Sequence, residues 1–392
     1  MKRSIYGTIL LLILSVNCTA QESNTIQVAV KPEVVNERLP LVEDRPIKNV
    51  IFIIGDGTGL VQLTSGQYKL VGAEGLLHLQ TMPVTGIVKT YSSNGLITDS
   101  AAGATAYSCG VKTDNGKIAQ LPDERECKTI LELAEEKGLS TGIVSTSGVT
   151  HATPASYAAH VRARGMEEEI AVDYLEADME VILGGGWEFF IPSGEEGSER
   201  EDNRNLINEF EEKGYEYVDS KMALESSESD KLLGLFSPGG MPSEDRTPTL
   251  AEMSSKAIEV LSQNEDGFFL MIEGSQIDWG GHGNDTEYVL REVKDFDAAI
   301  KRVLDFAVED GETLVVLTAD HETGGMAINS HYDRRDEVEI AWTTTGHTGV
   351  PVPLMAYGPH AIKFTGWQEN TEVGIKVAEL FGVGTLPQII EE

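Results

Sequence analysis

Cations are what this chain has least of. Thirty Lys and Arg residues stand against 64 Asp and Glu in 392 residues, a formal net charge of −34. A surface of that sign disfavours nonspecific binding to nucleic acid or to anionic membranes, so nucleic acid is not expected as a specific partner. Cysteine is scarce too. Beyond Cys18 only Cys109 and Cys127 remain, and their pairing stays open because a sequence gives no distance between thiols. Long apolar runs are missing: the one centred on 9–14 is too short to span a bilayer. No internal repeat is apparent. What the chain does have is 41% hydrophobic residues, enough for a large core.

The first 20 residues read as an export signal. Lys2 and Arg3 form the charged region, followed by the short apolar stretch. Cys18-Thr19-Ala20 before Gln21 fits a small-residue cleavage site. The same stretch also resembles a bacterial lipoprotein signal with Cys18 lipidated, so both readings stay open. The expectation is a periplasmic or secreted protein, or one tethered by lipid at the outer membrane. Residues 21–46 are polar and carry Pro32, Pro40 and Pro46, which suits a tether or an extended N-terminal arm. Residues 47–392 are expected to form one catalytic domain with surface insertions at 194–202 and 226–230.

From 47 onward, apolar runs alternate with helical patterns. The runs at 47–54, 141–145, 268–272, 313–318 and 352–357 suit strands buried on both faces. Between them, Ile130, Leu131 and Ala134 mark one helix. Leu250, Met253, Ala257 and Leu261 mark a second, capped by Thr247 or by Thr249 with Glu252. Val289, Val293, Phe296, Ile300, Leu304 and Ala307 mark a third. The alternation predicts an α/β fold: a mostly parallel central sheet with helices on both faces.

Polar residues gather where the strands end. Asp56 ends the first run, and Glu273 ends the third with Asp278 and His282 after it. Asp320 and His321 end the fourth, and His347 follows. Open α/β sheets place ligands at these carboxyl ends, and carboxylate with imidazole is a ligand mix for zinc. Asp278 and His282 are four apart, so one helical turn brings them together. Asp320 and His321 are adjacent and need a bend, which Gly324 and Gly325 permit. Thr98-Asp99-Ser100-Ala101-Ala102-Gly103-Ala104-Thr105-Ala106 reads as a helix start, capped by Thr98 or Asp99. Ser100 then sits in the first turn, where anions are attracted. His78, His160, His331 and His360 lack such surroundings and read as ordinary structural histidines.

These motifs resemble the alkaline phosphatases. The resemblance runs from about Ile47 to Gly358. It rests on Ile54-Gly55-Asp56-Gly57, the Ser100 segment, His151-Ala152-Thr153-Pro154-Ala155-Ser156, Glu273-Gly274-Ser275-Gln276-Ile277-Asp278-Trp279-Gly280-Gly281-His282, Thr318-Ala319-Asp320-His321-Glu322-Thr323-Gly324-Gly325 and Gly346-His347. It implies an alkaline-phosphatase-like fold and hydrolysis of phosphate monoesters. It further implies a phosphoserine formed on Ser100, with Arg164, thirteen residues after His151, gripping the phosphate. By the same resemblance Asp278, His282 and His347 hold one Zn2+, and Asp56, Asp320 and His321 a second. Asp56, Thr153 and Glu273 hold Mg2+. His151 and Trp279 differ from the residues of some bacterial members and are expected beside that third site or the phosphate. A homodimer is also implied. A sulfatase is disfavoured, because the sequence after Ser100 lacks that family's Cys-or-Ser, x, Pro, x, Arg pattern.

Overall fold

The apolar run at 47–54 becomes a strand buried along its whole length, flanked by two other buried strands. In the computed structural model the described residues are 24–29, 37–330 and 333–390. The leader at 1–20 with Cys18, and His331, lie outside them. The chain runs β1 (Thr25–Gln27), β2 (Asn49–Gly55), α1 (Leu60–Val71), β3 (Val84–Lys89), α2 (Ser100–Cys109), α3 (Ile130–Glu135), β4 (Ser140–Gly148), α4 (Ala152–Ala155) and α5 (Glu167–Ala177). It continues through β5 (Val181–Gly185), α6 (Leu206–Glu212), β6 (Glu216–Val218), α7 (Lys221–Ser226), β7 (Leu232–Leu235), α8 (Leu250–Leu261), β8 (Phe268–Gly274), α9 (Gln276–His282) and α10 (Thr286–Asp310). Last come β9 (Thr313–Thr318), β10 (Glu322–Thr323), β11 (Ala327–Asn329), β12 (Glu337–Ala341), β13 (His347–Thr348), β14 (Val352–Tyr357), β15 (Gly366–Glu369) and α11 (Asn370–Phe381).

The main sheet has ten strands in the order β15-β3-β14-β9-β2-β8-β4-β5-β7-β6. It is mostly parallel, as expected from the alternation. β14 is the exception and runs antiparallel to both β9 and β3. The reason lies in its connection. A parallel return needs a crossover, usually a helix. The described residues between β9 and β14 carry only short strands.

Side chains alternate across the sheet as the strand period requires. Val50, Phe52 and Ile54 of β2 enter one apolar cluster with residues of α2, α3, α5 and α11. Ile51 and Ile53 enter the other, with residues of α1, α8 and α10. Both faces are thus covered, which is why the central strands read as unbroken apolar runs. Thr249 caps α8, not Thr247. It receives the Glu252 N–H at 3.2 Å while Glu252 receives the Thr249 N–H at 2.9 Å, so two free donors are satisfied at once.

Residues 25–27 pair antiparallel with β12 and bury Ile26. Cys109 and Cys127 are both buried and free; the Cys109 thiol donates to the Cys127 carbonyl at 3.3 Å.

Candidate active site

Asp56, Glu273 and Asp320 sit at or just past the carboxyl ends of strands, and Ser100 at a helix start beside them. Asp56 follows β2, and its N–H donates to the Gly274 carbonyl at 3.1 Å. Gly57 then turns with φ +68, and a Cβ there would lie 2.5 Å from the Asp278 Cα. That close approach brings the β2 and β8 loops together and requires glycine. Asp320 follows β9 by two residues. Its Oδ1 receives the Gly57 N–H at 3.2 Å and the His321 N–H at 2.9 Å. The bend after it uses Gly324 (φ +89) and Gly325 (φ +56), the two glycines singled out for it.

Asp99 caps α2, receiving the Ala102 N–H at 3.0 Å. Ser100 is therefore the first helical residue, buried, with its Oγ 3.3 Å from His321 Nε2 and 3.5 Å from Asp56 Oδ2. Asp99 has a second task. Its other oxygen takes Arg164 Nη1 at 3.2 Å, while Arg164 Nη2 donates to His151 Nε2 at 3.2 Å. Arg164 is half-buried at the site and Arg162 is exposed, which separates the two neighbouring arginines.

Three groups of donors converge. Asp278, His282 and His347 form one, with ligand atoms within 4.8 Å of one another. Asp56 and His321 form the second; Asp278 completes it within the same limit, and Asp320 Oδ2 lies 3.2 Å from His321 Nε2. Asp56, Glu273 and His151 form the third. The Thr153 hydroxyl, on α4, is buried without a partner, as is Glu273 Oε1. His151 meets Trp279 edge to face, with ring centroids 6.2 Å apart.

The histidines are oriented by groups to which the sequence alone assigned no such role. His347 Nδ1 donates to the Thr98 carbonyl at 2.9 Å, and His282 Nδ1 to the Thr345 carbonyl at 2.6 Å. Thr323 donates its O–H to Asp278, so its oxygen takes the Nδ1–H of His321 at 3.2 Å. All three rings thus turn their Nε2 inward. Glu273 is held likewise. One of its oxygens accepts from Ser145 and Ser275, both at 2.6 Å, and from Ser147 at 3.2 Å. The Ser-Thr-Ser run near the end of β4 is the sequence signal for this, and Thr323 lies within the segment from Thr318 to Gly325.

Burial and mutual repulsion set the electrostatics of these carboxylates. Burial, then the charges of Asp320, Asp278 and Glu273, push Asp56 well above the usual carboxylate range. Burial raises Glu273 to about 7 against its serine hydrogen bonds. Burial, then Asp278, raises Asp320 to about 6. Burial works the same way on Asp278, but the hydrogen bond from His282 and the three imidazoles hold it below the ordinary range. The hydrogen bond that His282 donates to Asp278 in turn lifts His282 to about 9. Asp56 Oδ1, Glu273 Oε1 and Asp320 Oδ2 are buried with no hydrogen-bond partner. Crowded, buried and unpaired carboxylate oxygens fit divalent cations, which cancel the repulsion and occupy the free lone pairs.

An α/β sheet carrying such donors at its carboxyl ends fits the class of α/β proteins that bind metal ions at their strand ends. Residues 47–335 and 326–382 match the alkaline phosphatase family. The chain is 37% identical over 416 residues to alkaline phosphatase 3 of Bacillus subtilis, covering 84% of this chain and 88% of that one. Alkaline phosphatase of Escherichia coli is 33% identical over 404 residues, with 85% of each covered. The solved structure of an alkaline phosphatase from the Antarctic bacterium TAB5 superposes with a TM-score of 0.79 at 37% identity, covering 87% of this chain and 99% of that one. A variant of that enzyme, one histidine replaced by aspartate, has magnesium bound in a site designated M3. This chain belongs to the alkaline phosphatase family, and it is a phosphoric monoester hydrolase.

Proposed function

We propose that hydrolysis proceeds through a phosphoserine on Ser100, with Asp278, His282 and His347 holding one Zn2+, Asp56, Asp320 and His321 a second, and Asp56, Thr153 and Glu273 a Mg2+. The observation that carries this reading is the position of the Ser100 hydroxyl. It touches His321 and Asp56 at the first turn of α2, where two donor groups meet. Bound zinc supplies the positive charge that eases loss of the serine proton and offsets the charge of the transferring phosphoryl group.

The chain's own residues do the rest. Ser100 Oγ attacks phosphorus as the ester P–O bond breaks, and the alcohol leaves. Water then cleaves the Ser100 phosphoester, and inorganic phosphate departs. Arg164 offers two N–H groups to two phosphate oxygens, and Asp99 keeps its guanidinium aimed there. His151 stays neutral: burial, then the adjacent Arg164, lowers it to about 4. It therefore accepts from Arg164 and adds no charge of its own. Thr153 and Glu273 supply oxygen donors, which suit a hard cation such as magnesium.

Ser100→Ala tests the reading. Turnover of 4-nitrophenyl phosphate is expected to fall at least about 10³-fold while zinc content is retained. Radiolabelled monoester quenched in acid is expected to label the native protein at Ser100 and leave the variant unlabelled. Unchanged turnover would refute the assignment. Chelation is expected to abolish activity and added zinc to restore it. Export by the N-terminal leader, cleaved either after Ala20 or before a lipidated Cys18, and a homodimer belong to the same proposal. The mass of the mature N-terminus and light scattering in solution test them.

A further inference from the structure

Glu322 takes no part in the proposed chemistry, yet its carboxylate is buried and accepts four hydrogen bonds from neutral groups. Oε1 receives Gln62 Nε2 at 2.6 Å and the Met326 N–H at 3.2 Å. Oε2 receives the Gly325 N–H at 3.3 Å and the Thr348 hydroxyl. Gln62 continues the network: it receives the Gly59 N–H at 3.2 Å and donates to the Thr323 carbonyl at 2.9 Å. A Cβ on Gly59 would lie 2.5 Å from Glu322 Cγ, so the turn after β2 presses directly on this side chain. One carboxylate thereby joins the turn that bears Asp56, the bend that bears Asp320 and His321, and the strand that bears His347.

The last of these needs it most. β13 is two residues long, and residues 343–350 are all half-buried or exposed. The backbone bonds that hold this segment run to β10 and to the Gly324 bend, with Gly324 N–H donating to Gly346 at 3.0 Å. A ladder this short does not fix a side chain by itself. His347 must nevertheless bring its Nε2 to 3.1 Å from His282 Nε2. The Thr348 hydroxyl, one residue on, anchors the strand in the buried carboxylate.

We propose that Glu322, acting through Thr348, is a positioning residue that sets the reach of His347 into the Asp278–His282 group, and so governs how firmly the cation there is held. The inference rests on the reading of Asp278, His282 and His347 as one metal site. Partners that orient a metal's ligands typically change metal affinity by about 10- to 100-fold when removed.

The test uses metal-loaded protein and competition with a chromogenic zinc chelator. Thr348→Val removes the donor and keeps the shape; Thr348→Ser keeps the donor. Thr348→Val is expected to give up one zinc equivalent with affinity lowered about 10-fold or more, the second zinc being held as in the native protein. Its metal-free thermal midpoint is expected to match the native one, and Thr348→Ser to retain both zinc ions. Glu322→Gln is expected to lose the same equivalent, with little added in the double variant. Native retention in Thr348→Val, or equal weakening of both zinc ions, overturns the inference. A native protein that binds no zinc overturns the metal-site reading itself, and this inference with it.

Discussion

Histidines in this protein divide by what their carboxylate partner leaves free. At the site, Asp278 faces His282 and His347, and the Nε2 atoms point at a common centre. His160 is the opposite case. Its Nε2 meets Glu132 Oε1 at 2.9 Å and its Nδ1 the Ala119 carbonyl at 3.1 Å, so both nitrogens are occupied. Burial alone would lower its pKa, but the Glu132 hydrogen bond and charge prevail and raise it from 6.5 to about 9. A histidine raised in the fold stabilises fully below its unfolded pKa, and that contribution is lost as pH climbs through the folded value. His160→Gln is therefore expected to cost on the order of 2 kcal/mol near pH 6. Urea denaturation should show that gap closing by pH 10; a gap that is the same at both pH values would contradict it. The residue types at the site were legible in the sequence because ligands are short, chemically distinct side chains. Thr98 and Thr345 were not, since they act through backbone carbonyls that every residue possesses.

At the scale of elements, α2 is wedged in place by glycines. A Cβ on Gly374 of α11 would lie 2.0 Å from the Tyr107 carbonyl oxygen, and one on Gly103 would lie 3.0 Å from the Asp320 Cβ. The helix that starts with Ser100 thus has backbone-close contacts on both sides. Gly374→Ala must push α2 or α11 aside, which is expected to cost about 1–3 kcal/mol. Because Ser100 begins α2, turnover should fall together with the thermal midpoint. A variant with native stability and native turnover would show that the wedge has slack. The long apolar runs announced β2, β8 and β9 in the sequence. The weaker strands did not show: β10 and β13 have two residues each, and no periodicity survives at that length.

For the whole molecule, the net charge of −34 opposes a dianionic substrate at long range. On the proposed reading, the bound cations and Arg164 act only over the last few ångströms. Salt shortens the reach of the outer field from about 30 Å at 0.01 M to about 8 Å at 0.15 M. The expected outcome is that kcat/KM for a phosphate monoester rises as sodium chloride is added over that range. A fall would mean that the site's positive field, not the surface, governs approach. Among the described residues no helix is long and apolar enough to cross a membrane.

By itself the sequence determined which side chains stand at which strand ends, because buried parallel strands are continuous apolar runs and their carboxyl ends are where polar residues begin. It also determined the bend after Asp320, since Gly324 and Gly325 both take positive φ. Only the tertiary structure decided how those ends meet: that β14 runs backwards beside β9, that Asp278 stands between two donor groups, and that Glu322 and Thr323 tie three loops together. Such facts depend on distances between residues far apart in the chain. Local pattern carries no record of those distances; packing sets them.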